Sequence, residues 1–272
     1  LHYGGATHLN MEISSHALSL HRVEDVDIDL AVFTNLSEEH LDFHKTMNNY
    51  FKSKLKLFKN LSSDKVAIIN NDDKYSKKII NTTNAKILTY GFSSDSDIFP
   101  TKINMSLFGS KFLINYKNKN LKVETNLIGD YNISNILASI LVCNNLGLTL
   151  EEIVNSINTL KLVPGRFESY KTKNNGVVII DYAHTPDALQ NVLKSFTNKS
   201  FKPSLVFGCG GERDKSKRKK MSIIANKYAK KVYLTDDNPR NESAHLIRKT
   251  LKKYCQKAKD ISNRRKAIQT AI

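Results

Sequence analysis

The chain has 272 residues, 40% of them hydrophobic and 25% charged, so it can bury a sizeable core and is long enough for two domains. No apolar run is long enough to cross a bilayer, no signal-peptide pattern opens the sequence, and Cys143, Cys209 and Cys255 lack the C-x-x-C spacing of a zinc knuckle; a reducing, cytoplasmic compartment fits. The net charge of +16 suits anionic small substrates, but the lysines are scattered and no RNP, KH or helix-turn-helix signature occurs, so neither nucleic acid nor membrane is expected as a partner.

Early in the chain, "NMEISSHAL" ends a short apolar lead on Glu12 and continues into Ser14, Ser15 and His16. "DLAVFTNLSEEHLDFH" then reads as a strand that opens into His40 and His44 at i, i+4. A carboxylate with imidazoles at strand ends can bind Mg²⁺ or Zn²⁺, although H-x-x-x-H lacks the Glu of a zinc protease, and surface histidines are the alternative. "MNNYFKSKLKLF", residues 47–58, predicts a helix with an apolar stripe of Phe51, Leu55 and Phe58 beside Met47, and with Lys52, Lys56 and Lys59 opposite. Lys54 falls about 60° from Phe51 on the edge of that stripe. There a lysine either snorkels or carries a functional amine of depressed pKa.

The runs "KVAIIN" and "AKILTYGF" continue the pattern of apolar strands alternating with helices, which predicts a parallel sheet buried on both faces. Residues 100–128 predict instead an antiparallel insertion with turns at Phe108-Gly109-Ser110 and Lys117-Asn118-Lys119-Asn120. Asn132 and Asn135 stand at the start of a helix expected from about Ser134 and ended by Gly147; Asn is a good N-cap, so a structural role is open to both. A second helix is opened by Thr149 with acids in its first turn.

Pro164-Gly165 breaks the periodicity, and a domain boundary is placed there, giving 1–163 and 164–272. "GVVIIDYAHTPDAL" reads as another parallel strand with Asp181 at its C-terminal end, suited to a ribose hydroxyl or to a helix cap; His184 has no role beyond the entry to a helix at Pro186. In "PSLVFGCGGERDKSKR", Gly208, Gly210 and Gly211 let backbone approach a ligand closely and Arg213 supplies a planar donor fork. It is not G-x-G-x-x-G, and no phosphate loop of the G-x-x-x-x-G-K-[ST] type occurs. "KVYLTDDNPRNES" runs a strand into a stiff polar turn of Asp237, Asn238, Pro239 and Arg240, or, read structurally, a proline-stiffened turn with a surface arginine. The architecture expected is α/β: two units in series, the first mostly parallel with an antiparallel insertion and the second Rossmann-like.

In sequence order, "MEISSHAL…HRV", "VFTNLSEEHLDFH", "MNNYFKSKLKLF", "IINNDD", "LIGDYNISN", "VPGRFE", "DYAHTPDAL", "FGCGGERDKSKR" and "TDDNPR" resemble the Mur ligase family of peptidoglycan synthesis. The likeness covers essentially the whole chain, and FGCGG-x-RDK with DNPR resembles the diaminopimelate-adding MurE type. It implies most of a central ATP-binding domain and much of a C-terminal amino-acid-binding domain. The uridine-binding domain, the phosphate loop and the distal C-terminal segment would lie outside these residues, so the chain alone is expected to be inactive.

The resemblance further implies ATP-driven amide formation through an acyl phosphate, with UDP-N-acetylmuramoyl-L-alanyl-D-glutamate, meso-diaminopimelate and ATP as substrates, Mg²⁺ as cofactor, and a monomeric enzyme. By match, Lys54 corresponds to the family's carbamylated lysine, and Glu12 and His40 to its other metal-site residues. Ser14 and Arg22 match contacts to the UDP-muramyl-dipeptide, and Asn132, Asn135, Arg166 and Asp181 match the nucleotide site. Arg213, Asp237, Asn238, Pro239 and Arg240 match the diaminopimelate pocket, where an aspartate suits the ligand's ammonium and an arginine fork its carboxylate. Leu20 departs from the glutamine of many relatives and cannot make its hydrogen bond. The alternatives are a Mur ligase adding another amino acid, a folylpolyglutamate synthase, or, in another class, a metal-dependent hydrolase built on Glu12, His40 and His44.

Overall fold

The computed structural model describes residues 4–160, 163–174, 176–197 and 201–272. After a short helix α1 (Ser15–Ser19), the first half of the chain builds a six-stranded sheet in simple sequence order. Strands β1 (Leu30–Phe33), β2 (Val66–Asn70) and β3 (Lys86–Tyr90) pair in parallel, joined through α2 (Leu41–His44), α3 (Met47–Lys59) and α4 (Ser76–Ile80). Strand β4 (Ile98–Ser106) touches β3 in parallel only at Tyr90↔Ile98 and then pairs antiparallel with β5 (Gly109–Tyr116), as β5 does with β6 (Lys119–Thr125). The antiparallel insertion expected over 100–128 is therefore present; its turns are Leu107-Phe108 and Lys117-Asn118, so Gly109 and Ser110 already open β5 and Lys119 and Asn120 open β6.

The apolar run of β2 explains why its sheet is covered twice. Successive residues of a strand face opposite sides. Ile69 packs with Ala31, Phe33, Phe51, Phe58 and Ile79, toward α3 and α4. Its neighbour Ile68 packs with Ile133, Leu137, Ile140 and Leu141 of α5 (Asp130–Asn145) and with α6 (Leu150–Asn158). Each such side chain contributes roughly 1.5–3 kcal/mol by leaving water. Thr149 opens α6 with a complete capping box: its hydroxyl accepts from the N–H of Glu152, whose carboxylate accepts from the Thr149 N–H at 2.8 Å. Gly147 has φ 97°, a left-handed conformation that ends α5.

Two expectations need correction. Helix α5 starts at Asp130, four residues before Ser134, because Gly129 at φ 98° turns the chain into the helix and Asp130 sits in its first turn, where the helix dipole favours an acid. Asn132 is thus inside the helix and donates to the Ile128 carbonyl at 2.8 Å, so it is not an N-cap. The second correction concerns "GVVIIDYA": β8 (Val177–Ile180) pairs antiparallel with β7 (Glu168–Lys171) in a separate two-stranded sheet. The reason is local. The Thr172 N–H donates to the Gly176 carbonyl at 2.8 Å, closing a turn that returns the chain onto β7, and a neighbouring partner costs little loop entropy. β8 is accordingly only part-buried, with Ile180 at 48% exposure.

The remaining strands, β9 (Ser204–Phe207), β10 (Lys231–Leu234) and β11 (Lys259–Asp260), form a parallel sheet in the order β11-β10-β9. Around it stand α7 (Pro186–Thr197), α8 (Ser216–Tyr228), α9 (Ala244–Tyr254) and α10 (Arg264–Ala271). Its core joins Leu189 and Leu193 to Phe207, Val232, Leu234, Met221, Ile247 and Leu251. In a parallel sheet the loops at the C-terminal ends of the strands are where ligands bind. Those after β9 and β10 carry the FGCGGERDK and DNPR motifs.

Candidate active site

On α3 the apolar stripe is real but broader than its periodicity suggests: Tyr50, Phe51, Ser53 and Phe58 are buried, while Lys52, Lys56 and Lys59 are exposed. Lys54 is half-buried and borders a 40 Å³ cavity that Ile13, Leu18 and Phe58 line together with the polar Thr34 and Asn35. Burial pushes the Lys54 ammonium below its usual pKa, and the Glu12 and Glu39 carboxylates pull it partly back. Its Nζ lies 5.7 Å from the centre of the Tyr50 ring.

His40 adopts a left-handed backbone conformation (φ 59°) at the entrance to α2 and makes no capping hydrogen bond, so its ring is turned toward other groups. The His16 ring stands edge-on to it at 4.8 Å and the Tyr50 ring at 5.8 Å, and its Nε2 lies 3.8 Å from Glu39. Burial lowers the His40 pKa, which favours a neutral imidazole with a free lone pair at pH 7. His44 behaves differently. At 5% exposure it stacks on Tyr50 at 5.1 Å, with Nε2 2.9 Å from the Ser15 hydroxyl and Nδ1 3.4 Å from that of Ser53. Both ring nitrogens are engaged, so His44 is a structural histidine and no ligand.

Of the other residues expected at this end, Ser14 caps α1, its hydroxyl accepting from the Ala17 N–H at 3.1 Å. Leu20 closes the same helix and is 48% exposed. The exposed Arg22 donates its backbone N–H to the Ala17 carbonyl at 2.9 Å, while its side chain makes no hydrogen bond or ion pair among the described residues. Among those residues, too, no three His, Cys, Asp or Glu side chains gather closely enough to hold a metal ion.

At the junction between the two sheet systems the fold brings together Asp181, Arg166 and the first turn of α5. Asp181 accepts from the Phe167 N–H at 2.9 Å and the Ala183 N–H at 2.8 Å, tying the VPGRFE turn to the DYAH turn. The exposed Arg166 guanidinium lies 4.5 Å over the Tyr182 ring. Tyr131 reaches the same spot: its buried hydroxyl has no hydrogen-bond partner, and its pKa is raised by burial and by Asp181, with Arg166 opposing. Asn135 is on the exposed side of α5.

The loops after β9 and β10 pack directly on each other, and their glycines serve that contact. A Cβ on Gly208 would meet the Thr235 carbonyl at 2.4 Å, and one on Gly211 would meet the Pro239 carbonyl at 1.9 Å. The Gly211 N–H donates to the Asn238 carbonyl at 2.9 Å, and the Arg240 Nη1 donates to the Gly211 carbonyl at 2.7 Å. Asn238 folds the turn further, its N–H donating to Asp237 Oδ1 and its own Oδ1 accepting from the Arg240 N–H. Asp237 and Arg213 are exposed on the rim, and Arg213 makes no hydrogen bond or ion pair among the described residues.

Sequence reasoning missed three groups, Glu39, Arg218 and Glu242. Glu39 accepts from His184 Nε2 at 3.3 Å and so joins the His40 corner to the DYAH turn, which gives His184 a contact beyond helix entry. Only the tertiary fold reveals that pairing, since 145 residues separate the two. The buried Arg218 pairs with the part-exposed Glu242 behind the DNPR turn, and "KSKRKK" offers nothing to single out one basic residue among many.

Comparison with known proteins agrees with this geometry. The Mur ligase middle domain matches residues 1–143, and the Mur ligase glutamate ligase domain matches residues 165–272. The UDP-N-acetylmuramoyl-L-alanyl-D-glutamate--2,6-diaminopimelate ligase of Caldanaerobacter subterraneus subsp. tengcongensis is 41% identical over 273 residues, covering 98% of this chain and 56% of the relative. The ligase of the same name from Bacillus cereus is 43% identical over 246 residues, 87% of this chain and 50% of the relative. A solved structure of a protein of that name superposes with a TM-score of 0.66 at 34% identity, over 98% of this chain and 57% of its own. MurF from Acinetobacter baumannii superposes at 0.73 over 89% of this chain and 52% of its own; at 16% identity it attests the fold alone. The chain spans about half the length of the curated relatives it matches. With the middle-domain match alone covering more than half of its 272 residues, the chain belongs to the Mur ligase family.

Proposed function

We propose that the protein carrying this chain is an ATP-dependent ligase that joins meso-2,6-diaminopimelate to UDP-N-acetylmuramoyl-L-alanyl-D-glutamate in peptidoglycan precursor synthesis. The observation that carries the reading is the interlocked pair of loops at the C-terminal ends of β9 and β10, with Asp237, Asn238, Pro239, Arg240 and Arg213 at one rim. The far end of diaminopimelate bears an ammonium and a carboxylate. Asp237 would take the first, and Arg213 with the remaining donors of Arg240 the second.

In this reading residues 1–163 are the ATP-binding domain and 164–272 the amino-acid-binding domain. The D-glutamyl carboxylate attacks the γ-phosphorus of ATP, ADP leaves, and the neutral amine of diaminopimelate then displaces phosphate from the acyl phosphate to form the amide. Asn132, Asn135, Arg166 and Asp181 line the nucleotide side of the junction, while Ser14 and Arg22 face the UDP-linked substrate. Mg²⁺ would be held by Glu12, His40 and a carbamate on Lys54, and when bound it neutralises the phosphate oxygens. Carbamylation needs an uncharged amine, and the lowered pKa of Lys54 supports that. The enzyme would act as a cytoplasmic monomer; no helix among the described residues is long and apolar enough to cross a membrane, and the free cysteines suit a reducing compartment. A hydrolase built on His44 is disfavoured by the engagement of both its ring nitrogens.

The test is turnover of the full enzyme. ATP consumption is expected only when the muramyl-dipeptide and diaminopimelate are both present; equal turnover with L-lysine overturns the specificity. Arg240→Ala is expected to raise the KM for diaminopimelate by ~10–100-fold, since a charged ligand group is left unpaired.

A further inference from the structure

We infer that Arg218 and Arg248 are positioning residues that clamp the two ends of the DNPR turn and so hold its exposed side chains in a single arrangement. Arg218 projects from the first turn of α8 and is 5% exposed. It grips Glu242 with both ends of its fork, Nη1 to Oε2 at 3.0 Å and Nη2 to Oε1 at 2.9 Å, and Nη2 also donates to the Gly210 carbonyl at 3.3 Å. The same carboxylate accepts from the Glu212 N–H at 2.6 Å and faces Lys215 at 3.5 Å. One side chain thus joins α8, the loop after β9 and the loop after β10.

Arg248, 8% exposed on α9, does the corresponding job at the start of the turn. Its Nε donates to Asp260 at 2.6 Å and its Nη1 to Asp236, the residue immediately before the motif. Asp236 is held further by its own N–H to the Ser262 carbonyl and by Arg264 Nη1, which donates to the Asp236 carbonyl, both at 3.0 Å. Between the clamps, residues 237–241 have little apolar anchoring, and Arg240 keeps a left-handed backbone (φ 50°) that a non-glycine residue seldom holds without support.

Fold stability is a poor explanation for the pairs. α8 and α9 are already fixed by Met221, Ala225, Ile247 and Leu251, and ion pairs whose acids stay partly exposed, as Glu242, Asp236 and Asp260 do, contribute little to stability. Arg218 even leaves its buried Nε without a partner. What two planar forks at opposite ends of a short turn do supply is geometry, and a rim that must meet two opposite charges at once depends on geometry.

This inference rests on the reading of the DNPR turn as the amino-acid pocket, so the experiment separates the two. In the full enzyme, Glu242→Gln, Arg218→Lys and Arg248→Lys are compared with wild type by hydrogen–deuterium exchange over residues 235–242 and by KM for each substrate. The expected result is faster exchange in the turn and a KM for diaminopimelate raised ~10-fold, with the KM for ATP unchanged within about twofold, because a small misplacement of a binding group is costly. Arg218→Lys, which keeps the charge and loses the fork, should fall between wild type and Glu242→Gln. The apolar pair Arg218→Met with Glu242→Leu should keep its melting temperature and still show the raised KM. Unchanged exchange in the turn, or a rise in all three KM values together, overturns the clamp. If the wild-type enzyme turns over L-lysine as well as diaminopimelate, it is the pocket assignment that fails.

Discussion

Lys54 combines two properties that rarely coexist on one lysine. It stands on the buried edge of α3 against Ile13, Leu18 and Phe58, and yet two carboxylates, Glu12 and Glu39, are near enough to act on its charge. Burial favours the neutral amine; the acids limit how far the balance moves. In the proposed function a carbamate formed there would add an oxygen donor to Glu12 and His40. Lys54→Ala is therefore expected to lower the ligation rate at least ~100-fold, the scale of a lost electrostatic contact at the reacting centre, while added acetate or formate restores part of it. Full activity in the variant would exclude the role. The helical wheel could place Lys54, because periodicity sees the angle to Phe51. It did not single out Tyr50, which joins Phe51 and Phe58 in one core cluster and stacks on His44, or Ser53, whose hydroxyl meets Ser19 and His44.

At the scale of elements, what the sequence made legible was whatever is decided locally. Thr149 with Glu152, and Gly147, carry their own geometry and the structure keeps each where it was expected, while the turns of the antiparallel insertion only overlap the residues expected for them. The start of α5 was read late because an Asn looks like a cap, whereas Gly129 already turns the chain four residues earlier. The strand β8 was misassigned because an apolar run does not name its partner. The glycines after β9 were legible as sites of close approach, but what approaches them in the chain itself is the DNPR backbone. Gly211→Ala tests that packing. Its methyl group would sit 1.9 Å from the Pro239 carbonyl, so the two loops must part. The expected outcome is a KM for diaminopimelate raised by ~10–100-fold with ATP affinity retained, the cost of about 1 Å of misplacement; a wild-type KM would show that the loops open without consequence.

Over the whole molecule, the two halves of the chain meet through an apolar patch of Ile128, Phe167 and Phe196 and through polar links from the loop before α2: Glu39 to His184 and Glu38 to Lys220. These links are half-exposed, so each contributes less than about 1 kcal/mol and is screened by salt. The Glu39–His184 link also has a pH signature. The hydrogen bond that His184 donates to Glu39 raises the His184 pKa above its ordinary 6.5, with burial opposing and Lys217 repelling the charge. That same bond holds Glu39 below its ordinary 4.5. The histidine's contribution is complete below pH 6.5 and disappears as pH climbs through its raised value. The carboxylate's is complete above pH 4.5 and disappears as pH falls through its lowered value. Between those limits the link is fully charged. Comparing wild type with His184→Gln, a melting-temperature difference of ~1–2 °C is expected near pH 5.5, shrinking to nothing by about pH 9. A difference that stays constant across that range would mean that His184 acts through its ring contact with Tyr182, 5.1 Å away, and that Glu39 contributes no charge to the junction.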